Sequence, residues 1–65
     1  MRKMKQRKVF AIIENTRAYV NRYKIIQFDS DCLVEPFVDD NPHLQIETIE
    51  TTLVKAQKYM KEYLS

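Results

Sequence analysis

The sequence has no glycine and no tryptophan, and only one cysteine, one histidine and two prolines in 65 residues. Without glycine the backbone cannot come close enough to a phosphate to cradle it, so the glycine-dependent nucleotide loops are excluded. The Asn-Gly and Asp-Gly hairpin turns are excluded too, and any hairpin must turn on Asn, Asp or a longer loop. Cys32 has no second cysteine to pair with inside the chain. Together with His43 it falls short of the four ligands of a structural zinc site. No apolar run approaches the ~20 residues that cross a membrane. No metal, cofactor or membrane role is therefore expected.

A domain this short buries only ~60% of its unfolded surface. With no disulfide or metal to help, it folds on packing alone or gains burial from a partner. A homodimer, or attachment to a larger protein, is expected on that ground. The single cysteine fits a reducing compartment. The apolar stretch after the basic start, Val9 to Ile13, is ended by Glu14 and is shorter than a signal-peptide core, so a cytoplasmic location is expected.

Charge of one sign is missing from long stretches. Residues 1–28 hold Arg2, Lys3, Lys5, Arg7, Lys8, Arg17, Arg22 and Lys24 against Glu14 alone. Residues 29–50 hold Asp29, Asp31, Glu35, Asp39, Asp40, Glu47 and Glu50 and no cation at all. Residues 51–65 return to Lys55, Lys58 and Lys61 against Glu62. The net charge of +2 hides this segregation, which marks an interaction surface unless the two blocks neutralise each other in the fold.

What is present points to a small α+β domain. Residues 1–7 lack apolar periodicity and are expected to form a basic flexible arm, leaving 8–65 as a single domain. Residues 8–15 predict a strand, 15–17 a turn, and 18–28 a second strand with a bulge or a late start, because Arg22 and Lys24 interrupt its alternation. Residues 32–38 predict a third strand, demoted to an edge or a bulge by Pro36. Residues 43–49 alternate as a short further strand would. Thr51 or Thr52 then caps a terminal helix with Leu53, Ala56, Gln57, Met60 and Leu64 on one face. The expected architecture is a three- or four-stranded antiparallel meander packed against one C-terminal helix. The rival is an all-α helical hairpin dimerising to a four-helix bundle, since Val9, Ile12, Ile13, Thr16, Val20 and Tyr23 also suit helical spacing. Against that rival, eleven of the 21 residues from 8 to 28 are β-branched or aromatic.

Catalytic groups are scarce. A Cys32–His43 pair eleven residues apart lacks any arguable oxyanion donor, and Cys32 beside Leu33 and Val34 suits a small core residue. Asp29-Ser30-Asp31 opens like a calcium loop, but Leu33 and Val34 stand where a ligand and a glycine are needed. The chain is not expected to be an enzyme.

Two surfaces remain. Asp29, Asp31, Glu35, Asp39 and Asp40 form a candidate partner-binding epitope, because carboxylates in a row suit a protein groove built for phosphates. Arg2, Lys3, Lys5, Arg7, Lys8, Arg17, Tyr19, Arg22, Tyr23 and Lys24 interleave cations with tyrosines, which suits phosphates and unpaired bases of DNA or RNA. On a strand, however, Tyr19 and Tyr23 would face away from Arg22 and Lys24.

A basic start, a strand-rich middle and Thr52-Leu53-x-x-Ala56-x-x-Tyr59-Met60 opening a terminal helix resemble small phage and mobile-element accessory proteins. Some shorter anti-CRISPR proteins are similar in size and layout. The usage of Ile, Lys, Asn and Tyr fits such a source. The resemblance implies a non-catalytic protein-binding module, a phage-type inhibitor of a nucleic-acid-handling complex, and carries over no functional residue. The alternative from the residues themselves is a small, dimeric, basic nucleic-acid-binding protein.

Overall fold

A computed structural model describes residues 8–64. The basic arm expected at 1–7 lies outside the described residues. Three strands form one antiparallel sheet: β1 (Val9–Asn15), β2 (Tyr23–Phe28) and β3 (Leu44–Glu50). Two helices complete the fold, α1 (Val34–Asp39) and α2 (Leu53–Tyr63), with a 3-10 turn at Asp31–Leu33 leading into α1. This is the expected α+β class with a C-terminal helix, and the helical hairpin is excluded because residues 9–15 and 23–28 are strands.

β1 lies in the middle of the sheet, in the order β2-β1-β3. Its neighbours pair with it through Val9↔Phe28 to Glu14↔Tyr23 on one side and Phe10↔Glu50 to Asn15↔Leu44 on the other. A central strand covered on both faces needs apolar residues at both parities, which is why Val9 to Ile13 is continuous rather than alternating. Ala11, Ile12 and Ile13 are all essentially inaccessible.

One face carries Val9, Ala11, Ile13 and Phe28, which cluster with Val34 of α1 and are flanked by Ile26, Val38, Leu44 and Ile46. Phe28 meets Phe37 of α1 edge-on, with ring centroids 5.4 Å apart. Ile12 points to the other face, where α2 crosses the strands and buries Ala56. The domain is therefore a thin three-layer sandwich with one short helix on each side of the sheet.

Two details depart from the sequence expectation. The sheet is not a meander in order, since β1 separates β2 from β3. Residues 32–38 are also not a strand. β2 and β3 both run antiparallel to β1 and hence parallel to each other, so the chain must cross over β1 between them. A crossover needs about a dozen residues and is usually helical. The 3-10 turn is capped by Ser30, whose Oγ accepts from Cys32 N–H at 3.3 Å. Pro36 sits in the first turn of α1, where no N–H is required of it. Asn41 Nδ2 donates to the Phe37 carbonyl at 2.8 Å and closes the helix end. Val34, Phe37 and Val38 then share the sheet-facing side at helical spacing.

Thr52 caps α2, its Oγ1 accepting from Lys55 N–H at 3.1 Å. The expected stripe is rotated. Ala56, Tyr59, Met60 and Leu64 are covered, whereas Leu53 and Gln57 are exposed. β3 carries a bulge. The pairing shifts between Ile12↔Thr48 and Ile13↔Ile46, leaving Glu47 as the extra residue. Tyr59 Oη donates to Glu47 Oε2 at 2.9 Å, tying helix to bulge.

Two predictions follow from this packing. Ile12→Ala should cost ~2–5 kcal/mol in urea unfolding, with Val20→Ala at the exposed loop within about 0.5 kcal/mol as the contrast. The Tyr59 hydroxyl is held above the ordinary tyrosine value of about 10, chiefly by its bond to the Glu47 carboxylate and then by partial desolvation. Because the folded value is the higher one, the stability it brings is complete below about pH 10 and is lost as pH rises through the folded value. Phenolate absorbance should show one late-titrating tyrosine, absent in Tyr59→Phe.

Candidate functional site at the hairpin end

Residues 16–22 join β1 to β2 in a loop built without glycine. Asn15 N–H donates to the Arg22 carbonyl at 2.6 Å, and Ala18 N–H returns to the Asn15 carbonyl at 3.1 Å. The Asn15 side-chain oxygen accepts from Arg17 N–H at 3.0 Å. Asn21 takes φ 54°, the only positive φ among the described residues, and asparagine is the residue that best replaces glycine there. Thr16 fastens the loop to the start of β3: its N–H and its Oγ1 both donate to the His43 carbonyl, at 2.9 and 3.0 Å.

A groove of about 390 Å³ opens between this loop and the end of α1. α1 has only six residues and leaves part of the sheet face uncovered. Ile13, Ile26, Leu44 and Phe37 give the groove an apolar floor, with Arg22, Lys24 and His43 on its rim. Arg22 Nη2 bonds Glu14 Oε2 at 2.7 Å. Arg17 and Lys24 have no ion pair among the described residues. At the tip, Tyr19 is 98% exposed and Val20 75% exposed.

The structure sorts the candidate basic residues into separate groups. Arg2, Lys3, Lys5 and Arg7 lie outside the described residues. Lys8 is exposed just before β1, a strand length of ~20 Å from the loop. Arg17, Tyr19 and Arg22 share the loop, since the second strand begins only at Tyr23. The objection that strand alternation would separate tyrosine from cation therefore lapses for Tyr19. It stands for Tyr23 and Lys24, which occupy opposite faces of β2.

The acidic candidates are all exposed and all lie on the crossover. Asp29 follows β2 and Asp31 opens the 3-10 turn, at the end of the sheet where β1 starts. Glu35 and Asp39 stand one turn apart on α1, and Asp40 follows it. Asp31 and Glu35 flank a shallow recess with Cys32 and Ile49. Among the described residues no three His, Cys, Asp or Glu side chains converge on a point that could hold a metal ion. Cys32 is not a core residue. It is exposed, with Sγ 2.8 Å from Ser30 Oγ, and it lines a different recess from His43. The Arg22–Glu14 ion pair lies inside the basic block, and among the described residues no ion pair joins Lys8, Arg17, Arg22 or Lys24 to an acid of residues 29–50.

Sequence reasoning missed the groove, because its wall comes from three separate segments. Tyr19 and Val20 give no separate signal in the sequence, because both suit the strand expected over residues 18–28. No protein-family model, no curated protein and no solved structure matches this chain.

The loop's shape rests on Asn21. Asn21→Val should destabilise the domain by ~1–2 kcal/mol in urea unfolding, since a β-branched residue resists positive φ, whereas Asn21→Gly should stay within about 0.5 kcal/mol.

Proposed function

We propose that this protein is a non-catalytic protein-binding module whose contact surface is the hairpin end. The observation that supports this reading is the exposure of Tyr19 and Val20 at the tip of a hydrogen-bonded loop. Hydrogen bonds at the base of the loop reduce the ordering that Tyr19 needs on binding, and tyrosine and arginine are the residues in which binding energy concentrates. The groove beside it repeats the anatomy of an interface, an apolar centre with a polar rim. Its rim is cationic, so the segment it accepts is apolar with flanking acids. The carboxylates Asp29, Asp31, Glu35, Asp39 and Asp40 lie on the crossover and would meet a cationic part of the same partner. An inhibitor of a nucleic-acid-handling complex is one protein of this kind, suggested by the sequence's resemblance in size and layout to small phage accessory proteins.

A second reading rests on a different observation. Tyr19 shares its loop with Arg17 and Arg22, so one stacking surface and two cations reach the same side of the molecule. That combination suits a single-stranded nucleic acid.

Tyr19→Ala combined with Val20→Ser tests both. Immobilised wild type should retain a protein partner that the double variant loses by at least about tenfold, a 1.4 kcal/mol effect of hot-spot size, with circular dichroism unchanged. Titration with labelled single- and double-stranded DNA and RNA at ~50 and ~200 mM salt should show no steep salt slope. Unaltered capture by the double variant would overturn the assignment to the hairpin end. A steep slope that the variant flattens would replace the first reading with the second.

A further inference from the structure

We propose that the open edge of β2 pairs antiparallel with β2 of a second copy, centred on Ile25, to give a two-fold dimer with one continuous six-stranded sheet. This inference goes beyond the hairpin-end reading and does not depend on it.

The argument starts from hydrogen-bond parity. Asn15 and Arg22 are directly opposite in the β1–β2 register, and Asn15 N–H donates to the Arg22 carbonyl. Pairs alternate along an antiparallel ladder, so Lys24, Ile26 and Phe28 also direct their backbone groups at β1. Tyr23, Ile25 and Gln27 must direct theirs away from β1. No described residue bonds them. Each presents one donor and one acceptor to the open edge.

These three residues are spaced so that the strand complements itself. With Ile25 opposite Ile25 of the second copy, Tyr23 falls opposite Gln27 and Gln27 opposite Tyr23. Every outward N–H and carbonyl then meets a partner. A shift by two residues in either direction leaves one of the three outside the ladder. The side chains agree with this register. Ile25 packs on Ile25 at the dyad, and Lys24 stands opposite Ile26 rather than opposite another lysine. The two-fold axis lies perpendicular to the sheet, so each face stays in register with its like.

The other edge does not offer the same template. In β3 the parity set by Thr16 and His43 turns Leu44 and Ile46 outward, and the bulge at Glu47 then puts the next outward residue at Ile49. A bulge with acids beside it is how edges are blunted, and Glu47 and Glu50 supply the acids. β2 has no bulge, and Ile25 and Ile26 at its centre are only half-buried. A second copy is the occupant that this edge matches residue for residue, and added burial by association is the usual support for a domain of this length.

Hydrogen exchange on the full-length wild type, with its mass measured by sedimentation, tests the pairing. The amides of Tyr23, Ile25 and Gln27 should exchange freely at ~5 µM and slow by at least about tenfold at ~500 µM, in step with a doubling of mass. Gln27→Pro should abolish both effects, because proline at an outward position removes no bond from the β1–β2 ladder. Its circular dichroism should match the wild type. If the variant fails to fold, the wild-type exchange still decides the matter. A monomeric mass up to ~500 µM with fast exchange at these amides overturns the proposal. So does slow exchange at every concentration with a monomeric mass, which would mean that the chain covers its own edge. A dimer in which these three amides remain fast would place the interface elsewhere and overturns it equally.

Discussion

The fold depends on one constraint: β1 is buried on both faces and bordered on both sides. A strand in that position must be apolar at every residue that meets a covered face, and Val9 to Ile13 meets that demand. The chain also passes over it. β2 turns back from β1 through a loop and pairs beside it, and β3 takes the far side of β1 rather than the open edge of β2. The return path therefore crosses one face, and the crossover becomes α1 because a parallel connection of that length buries its apolar residues best as a helix. The opposite face, carrying Ile12, is left for α2. Both helices are consequences of where the first strand sits.

The same constraint distributes the charge. β1 and β2 bring Arg17, Arg22 and Lys24 to the hairpin end, while the crossover carries Asp29, Asp31, Glu35, Asp39 and Asp40 along α1 and its flanks. Among the described residues no ion pair joins these cations to these acids. Solvent-exposed pairs would contribute little to stability in any case. Charges of both signs on one small body set up a two-signed field around it.

What was legible in the sequence follows from how local each cause is. β1 was legible because its run is short, apolar and β-branched. α2 is legible because its cap and period lie in adjacent residues, although its covered face also takes in Tyr59, whose partner Glu47 lies on β3. Residues 32–38 were misread because Val34, Pro36 and Val38 carry strand and edge signals, while the reason for a helix there is the crossover, a non-local fact. The start of β2 was read too early for a related reason. Tyr19 and Val20 are strand formers by composition, yet they extend past the last residue that β1 can pair. The groove was invisible because Ile13, Ile26, Phe37 and Leu44 belong to four different elements. The edge parity of β2 was equally out of reach, since it depends on which neighbour each residue bonds.

The residues that the fold leaves out carry the functional argument. A core confined to a thin sheet and two short helices cannot take in every large apolar side chain, and most of those left exposed are ordinary surface residues. Tyr19 and Val20 differ from the rest because the chain spends structure on holding them out. Asn15, Thr16 and Asn21 all act on the loop that carries them, through an Asx bond, a double tether to the His43 carbonyl and a positive φ. A chain without glycine had to build that loop from side-chain hydrogen bonds and an asparagine in the left-handed region. None of these devices buries the tyrosine or the valine. That order is the support for the proposed contact at the hairpin end, and the apolar groove lined by Arg22 and Lys24 lies beside it.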